Sequence, residues 1–159
     1  MSAYLRPKVP GACVFFTVNL VDRGADTLVR HVEVLRQAVV VTKGKRPFRI
    51  DAWVVLPDHM HCVWTLPEGD ADFSTRMGAI KGRFSKALPE GRVRASHIIR
   101  REKGIWQRRF WEHHIRSEEE FGAYVRYCWI NPVKHGLVEH PDAWPHSSWH
   151  RDGGGDLLP

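Results

Sequence analysis

FRIDAWVVLPDHMHCVWTL, residues 48–66, decides how the rest of the chain is arranged. Two runs rich in Val, Ile and Trp flank a Pro-Asp pair, which is typical of a tight turn. The pattern therefore predicts two antiparallel strands, over 48–56 and 59–66, joined as a hairpin.

Other elements are predicted on both sides of this hairpin from apolar periodicity and cap residues. They are a strand over 12–21, a helix from the N-cap Asp26 to the break at 42–47, a helix over 73–88, a strand over 106–116 and a helix from the capping-box residue Ser117 to Asn131-Pro132. This order predicts an α+β, ferredoxin-like (RRM-like) antiparallel sheet with helices on one face and an appended C-terminal helix. We expect residues 1–159 to form a single domain, with an exposed loop over 89–104 and an irregular tail from about 137.

The cysteine spacing and the lengths of the apolar runs indicate the cellular compartment of the protein. The three cysteines are far apart and lack a C-x-x-C spacing, so neither a disulfide framework nor a cysteine zinc site is indicated. No apolar run approaches the roughly 18 residues needed to span a bilayer, and the N-terminus lacks the apolar region of a secretory signal. These features predict a cytoplasmic protein with no membrane partner.

Positive charge is concentrated in one stretch of the chain. Residues 76–109 carry eleven Lys or Arg against two Glu, whereas the whole chain has a formal charge of only +6. Such a patch is the electrostatic footprint of phosphate-backbone binding, although a solvated surface loop is an equally common explanation. The predicted phosphate contacts are Lys81, Arg83, Lys86, Arg108 and Arg109.

The hairpin places two imidazoles on one face of its second strand. His59 and His61 are two positions apart, so they project side by side at about 6.6 Å, while Met60 and Cys62 point to the core. Two imidazoles in this arrangement can bind one cation. Taken alone, however, such a pair is more often two surface histidines on the open face of a sheet.

The third predicted helix offers further polar groups on one side. With Glu120 set at zero and 100° per residue, Tyr127 and Asn131 fall near −20° and +20°, and Tyr124 near 40°. The apolar stripe lies between about 80° and 180°. It is formed by Phe121, Val125, Cys128 and Trp129.

Taken together, the motifs resemble a known family. LPDHMH, a basic helix, IWQRRFWEHHIR, YCWINPVKHGLV and WPHSSW follow one another as in the REP-associated tyrosine transposases, bacterial relatives of the single-tyrosine insertion-sequence transposases in the HUH endonuclease superfamily. The resemblance runs over roughly residues 10–150. His59-Met60-His61 matches the HUH motif as it stands, whereas Trp129 departs from the family pattern, in which a histidine is common at that position.

The resemblance implies an activity and the residues that perform it. It makes Tyr127, four residues before Asn-Pro-Val-Lys-His-Gly, the nucleophile that forms a 5′-phosphotyrosine, and it makes Asn131 a metal ligand beside His59 and His61. The expected cofactor is Mg²⁺ or Mn²⁺, with Zn²⁺ as an alternative. The expected substrate is single-stranded or hairpin DNA, processed by a monomer or a homodimer.

Four alternatives stay open at this point. His113 or His114 could join the histidine pair in a three-histidine zinc site, but adjacent strand residues face opposite ways, so only one of them could. Trp106 and Trp111 could stack on unpaired bases, although a core position is about twice as common for each. Glu120 is a candidate helper of the nucleophile. The whole chain could also be a non-catalytic nucleic-acid-binding module with the same fold.

Overall fold

The computed structural model describes residues 8–88 and 104–152. Its four strands are β1 Cys13–Asn19, β2 Arg49–Val55, β3 His59–Thr65 and β4 Trp111–Ile115. They form one antiparallel sheet in the order β2-β3-β1-β4. The predicted α+β class and the hairpin of residues 48–66 are confirmed.

The last strand is shorter than predicted. Regular pairing begins only at Trp111, and Trp106 contributes a single bridge to Leu20. Trp106 is instead buried, with its indole N–H donating to the carbonyl of Lys81 at 3.1 Å. The exposed loop predicted over 89–104 lies, except for Gly104, outside the described residues.

Three helices, α1 Thr27–Arg30, α2 Val32–Lys45 and α3 Phe73–Ala87, pack on one face of the sheet. The single helix predicted from Asp26 is interrupted, because His31 leaves helical geometry at φ −116° and ψ 33°. Asp26 lies at the N-cap position but forms no side-chain cap. The predicted apolar stripe of α3 is confirmed as buried: Phe73, Met77, Ile80, Phe84 and Leu88.

The opposite face of the sheet is covered by α4 Glu118–Lys134 and by the short α5 Trp149–Asp152. Alternation along β3 directs Met60 and Cys62 into the first core and Val63 into the second. Helices therefore pack on both faces of the sheet, although Trp111 on β4 stays 53% exposed. Within the described ranges, no helix is long and apolar enough to cross a bilayer.

Helix α4 begins where predicted and ends later. The hydroxyl of Ser117 accepts a hydrogen bond from the Glu120 N–H at 3.1 Å, which confirms the predicted cap. The predicted stop at Asn131-Pro132 is wrong, because a proline near the C-terminus costs only one helical hydrogen bond. The helix closes at Gly136, whose φ is +72°, through the Leu137 N–H to the Pro132 carbonyl at 2.9 Å.

The segment after 137 is less irregular than predicted. It contains a 3-10 turn, Pro141–Ala143, and α5. Between them the chain pairs with the outer edge of β2: the Val55 N–H donates to His146 at 2.9 Å, and the Ser148 N–H donates to Trp53 at 2.8 Å. The tail thereby covers an edge strand that would otherwise expose unpaired backbone groups.

A buried arginine joins the start of α3 to the loop before β2. The side chain of Arg76 is 3% exposed and forms a bidentate pair with the Asp70 carboxylate at 2.7 and 3.1 Å. It also donates to the carbonyls of Arg46, Pro47 and Asp72 at 2.7 to 3.0 Å. One guanidinium therefore satisfies five acceptor atoms from two segments of the chain.

Replacing Arg76 with alanine should lower the free energy of unfolding by about 3 kcal/mol, because these acceptors lose their donor. Urea unfolding followed by circular dichroism measures the change. The matched control is Arg30→Ala, whose exposed ion pair with Asp26 spans 3.7 Å and should contribute about 0.5 kcal/mol or less. Equal losses in the two variants would contradict the assignment.

The pair of Arg76 and Asp70 makes the free energy of unfolding depend on pH. The hydrogen bond from Arg76 lowers the pKa of Asp70 from 3.8 to about 2. A carboxyl with a depressed folded pKa stabilises the fold above its unfolded pKa and loses that contribution as the pH falls through the folded value. The stability difference between wild type and Arg76→Ala should therefore shrink between about pH 4 and pH 2 and stay constant above about pH 4.

Candidate metal and nucleophile site

His59 and His61 lie side by side on β3, beneath α4. Their ring centroids are 5.0 Å apart, and the residues are only 6% and 4% exposed. The predicted common face is therefore present, but it is not the open surface on which histidine pairs are usually found. Buried imidazoles are costly unless their nitrogens have partners.

Each imidazole is held through its Nδ1 atom. Nδ1 of His59 is 2.7 Å from Oδ1 of Asp58, and Nδ1 of His61 is 2.9 Å from Oγ1 of Thr17 on the neighbouring strand. Such contacts fix the ring orientation and leave Nε2 for a ligand, as in many metal sites. Asp58 in turn accepts the Gly24 N–H at 2.9 Å and pairs with Arg23 at 3.3 Å.

Both imidazoles favour the neutral form. Burial lowers the pKa of His61 to about 3, and the positive charges of nearby groups act in the same direction. Burial also lowers the pKa of His59, against the opposing effect of Asp58. At neutral pH each ring is therefore neutral, with one N–H and one nitrogen lone pair, which is the state that binds a cation.

Tyr127 and Asn131 of α4, and His135 directly after its last residue, face this pair at intervals of one turn. The ring of Tyr127 lies 5.2 Å from that of His61, and the ring of His135 lies 5.1 Å from that of His59. Asn131 is midway between Tyr127 and His135, so helical spacing puts it on the side of α4 that faces the two imidazoles. The structure thus brings together the two predicted histidines, the predicted tyrosine and the predicted asparagine.

Asn131 is fully buried, and neither its amide oxygen nor its amide nitrogen has a hydrogen-bond partner. An unpaired buried amide costs about 1–3 kcal/mol, so such a group calls for a ligand. The helical-wheel prediction had placed Asn131 outside the apolar stripe. The buried arc of α4 is wider, because the helix lies against a sheet face that also carries the histidines.

The two tyrosines of α4 have different surroundings. Tyr127 is half-buried beside His61, and the ammonium of Lys134 lies 5.0 Å from its ring centroid. Tyr124 packs on Phe15 at 4.5 Å and on His113 at 5.2 Å, and burial raises its pKa. Of the two, Tyr127 is the tyrosine next to the histidine pair.

The three-histidine alternative does not form. In residues 8–88 and 104–152, no group of three or more His, Cys, Asp or Glu could hold a metal ion. His114 faces the first core beside Phe73, while His113 shares the face of His61 but is bonded through Nε2 to Glu120. Because this hydrogen bond engages the Glu120 carboxylate, Glu120 is not placed to assist Tyr127 as a helper of the nucleophile.

The predicted phosphate contacts separate into different surroundings. Lys81, Lys86 and Arg108 line one groove of about 390 Å³ beside α3, although Lys81 also donates to the Gln107 carbonyl at 2.9 Å. Arg83 lines another groove, against α2. Arg108 and Arg109 are exposed. Their role in binding stays a prediction.

Several residues around the site were missed by the sequence prediction. They are Thr17, Arg23, Asp58, Lys134 and His135. Asp58 had been counted only as part of a turn, although a carboxylate directly before a candidate metal-binding histidine is a recognisable signal. Trp129, which departs from the family pattern, is buried and donates its indole N–H to Oγ of Ser148 at 3.2 Å, thereby joining α4 to the tail.

No protein-family model matches the chain. All 159 residues align at 47% identity with the REP-associated tyrosine transposase of Escherichia coli strain K12, covering 89% of that protein. The whole chain is also 39% identical to a candidate REP-associated tyrosine transposase of Haemophilus influenzae, covering 92% of that protein.

Two solved structures are similar. One is a REP-associated tyrosine transposase bound to a REP hairpin, with a TM-score of 0.86 and 47% identity, covering 100% of this chain and 89% of the other. The second is a candidate transposase from Deinococcus radiodurans R1, with a TM-score of 0.51 and 14% identity, covering 86% of this chain and 95% of the other. The latter likeness concerns the fold alone.

Proposed function

The chain belongs to the family of REP-associated tyrosine transposases, and on this basis we propose that it is a DNA-processing enzyme of the transposase kind that binds and cleaves DNA at hairpin-forming repeats. The observation that carries the proposal is the convergence of His59, His61 and Tyr127 beside the unpaired, buried amide of Asn131. Most buried amides are hydrogen-bonded, so an unpaired one facing two imidazoles supports a ligand at this point.

The donor set fits a divalent cation, expected to be Mg²⁺ or Mn²⁺. The ligands would be the Nε2 atoms of His59 and His61 and the amide oxygen of Asn131. Nitrogen ligands favour Mn²⁺, while cellular abundance favours Mg²⁺. When bound, such a cation stabilises the negative charge on the phosphate oxygens. Asp58 and Thr17 keep the two imidazoles aligned for it.

Tyr127 would act as the nucleophile. Its phenolic oxygen attacks the phosphorus, the bond from phosphorus to the 3′-oxygen breaks, and the DNA strand becomes joined to the protein through a 5′-phosphotyrosine. The phenolic proton is released to water, and the departing 3′-oxygen takes up a proton. Because the phosphodiester energy is conserved in the new bond, a second 3′-hydroxyl can reverse the step and join strands.

Two basic side chains add positive charge at the rim of the site. Arg23 pairs with Asp58 and with the side chain of Asn19, which lies directly opposite His59 in the sheet. Lys134 lies over the ring of Tyr127. Both charges are placed to attract the phosphate and to stabilise the charge that develops as the phenolic oxygen attacks.

Removing the Lys134 charge should slow cleavage by about fivefold, because a cation at the rim that stabilises the charge developing in the transition state by about 1 kcal/mol has this effect on the rate. Lys134→Met would be compared with Lys134→Arg in single-turnover assays with saturating hairpin DNA and Mn²⁺. We expect the arginine variant to retain most of the rate. A methionine variant as fast as wild type would show that the lysine only packs against the ring.

The proposed function is tested by incubating the protein with hairpin oligonucleotides and Mn²⁺ and separating the products on a denaturing gel. A covalent protein–DNA product that requires the metal ion supports it. Tight binding without any adduct on several hairpins would instead support a non-catalytic binding module.

A further inference from the structure

Trp111 is an exposed aromatic residue at the start of β4. It is 53% exposed, whereas Trp106, the other tryptophan predicted as a stacking residue, is 6% exposed. Single exposed apolar residues are common and need no explanation by themselves. The position of Trp111 in the sheet is what distinguishes it.

The register places Trp111 in the same row as the candidate site. Thr17 pairs with His61 on one side and with Trp111 on the other, so all three side chains point to the face that α4 covers. Two strand spacings, about 10 Å, separate the positions of His61 and Trp111. A DNA strand bound at the histidines would therefore pass close to the indole if it crossed the sheet in the direction from His61 through Thr17 to Trp111.

The indole is held in place by its neighbours. It stacks on the ring of His113 at 6.0 Å and 10°, and the ring of Phe15 meets it at 5.8 Å and 71°. His113 is itself fixed by its hydrogen bond to Glu120. These two contacts hold the indole, and 53% of the residue stays exposed, which leaves a preorganised flat surface open to solvent.

Charge around Trp111 favours a nucleic acid as the occupant. Arg108 and Arg109, both exposed, lie three and two residues before it along the chain. The segment that contains them runs beside the end of β1. The Gln107 N–H donates to the carbonyl of Asn19 at 2.9 Å, and Asn19 is the residue that pairs with His59 in the sheet. Phosphates on either side of a stacked base would therefore meet positive charge.

We propose that the outward face of Trp111 stacks on an unpaired base next to the phosphate held by the histidines. The proposal rests on the proposed function and extends it, because it assigns a base-binding subsite to a side chain outside the reaction centre. Every base has a π-face, so the subsite selects unpaired DNA rather than a particular base.

The test measures hairpin binding by fluorescence anisotropy in the Tyr127→Phe background, so that no covalent product forms. Trp111→Ala should weaken binding about 5- to 150-fold, the range for one base stacked on an aromatic ring, and Trp111→Phe should retain most of the affinity. Val40→Ala is the control, since Val40 is 61% exposed on α2. It should bind like the parent.

An abasic site moved along the unpaired DNA identifies the stacked base. At one position, the abasic site should weaken binding by the parent protein as much as Trp111→Ala does. At that same position, it should cause little further loss of affinity in the Trp111→Ala variant. Equal affinities of the parent and Trp111→Ala at every position would overturn the subsite while leaving the adduct assay, and hence the proposed function, intact. Loss of self-association in Trp111→Ala at unchanged DNA affinity would also overturn it, by identifying a second copy of the chain as the occupant.

Discussion

Replacing Tyr127 with phenylalanine is expected to remove the covalent adduct and to lower the cleavage rate by roughly a thousandfold or more, because the variant keeps the ring but loses the attacking oxygen. Hairpin affinity should stay within about twofold, since Phe15 and His61 contact the ring rather than the hydroxyl. Single-turnover cleavage and adduct yield in Mn²⁺ measure the effect.

Tyr124→Phe is the matched control for this substitution. Tyr124 lies one turn earlier on α4, and its ring packs against His113 and Phe15 rather than His61. It should form the adduct at close to the wild-type rate. If the Tyr124 variant lost the adduct and the Tyr127 variant retained it, the nucleophile would be misassigned.

The second large effect concerns the cation. His61→Ala should lower metal-dependent cleavage by at least about a hundredfold, because it removes one of three proposed ligands. In wild type, Mn²⁺ at about 100 times its dissociation constant should raise the melting temperature by about 5–10 °C. The variant should show no such rise.

His140→Ala is the control for the loss of an imidazole. The side chain of His140 is 61% exposed and pairs with Asp142 in the tail, away from the histidine pair. This variant should keep both the Mn²⁺-dependent cleavage and the shift in melting temperature. A full thermal shift in His61→Ala would mean that Mn²⁺ binds elsewhere.

Local patterns predicted much of the fold because they act over a few residues. The alternation at Met60 and Cys62 placed both histidines on one face, and the Ser117 cap marked the start of α4. The family motif and the helical wheel both selected Tyr127 and Asn131. For these elements, neighbouring residues carry the decisive information.

The errors arose where distant segments meet. Nothing near Ser147 indicates that this residue pairs with Val54, almost a hundred positions earlier. Local rules stopped the last helix at Pro132, yet its final turn continues and brings His135 against His59. Thr17 was missed as a partner of His61 because only the sheet register makes them neighbours.

Crystals of the Tyr127→Phe variant with an uncleaved hairpin and Mn²⁺ would show whether β3 and α4 meet around one cation. Anomalous diffraction locates the manganese. We expect one ion about 2.0–2.3 Å from Nε2 of His59, Nε2 of His61 and the amide oxygen of Asn131, with a DNA phosphate beside it. Manganese bound elsewhere, for example at His113 and Glu120, with the histidine pair and the Asn131 amide unliganded, would contradict it.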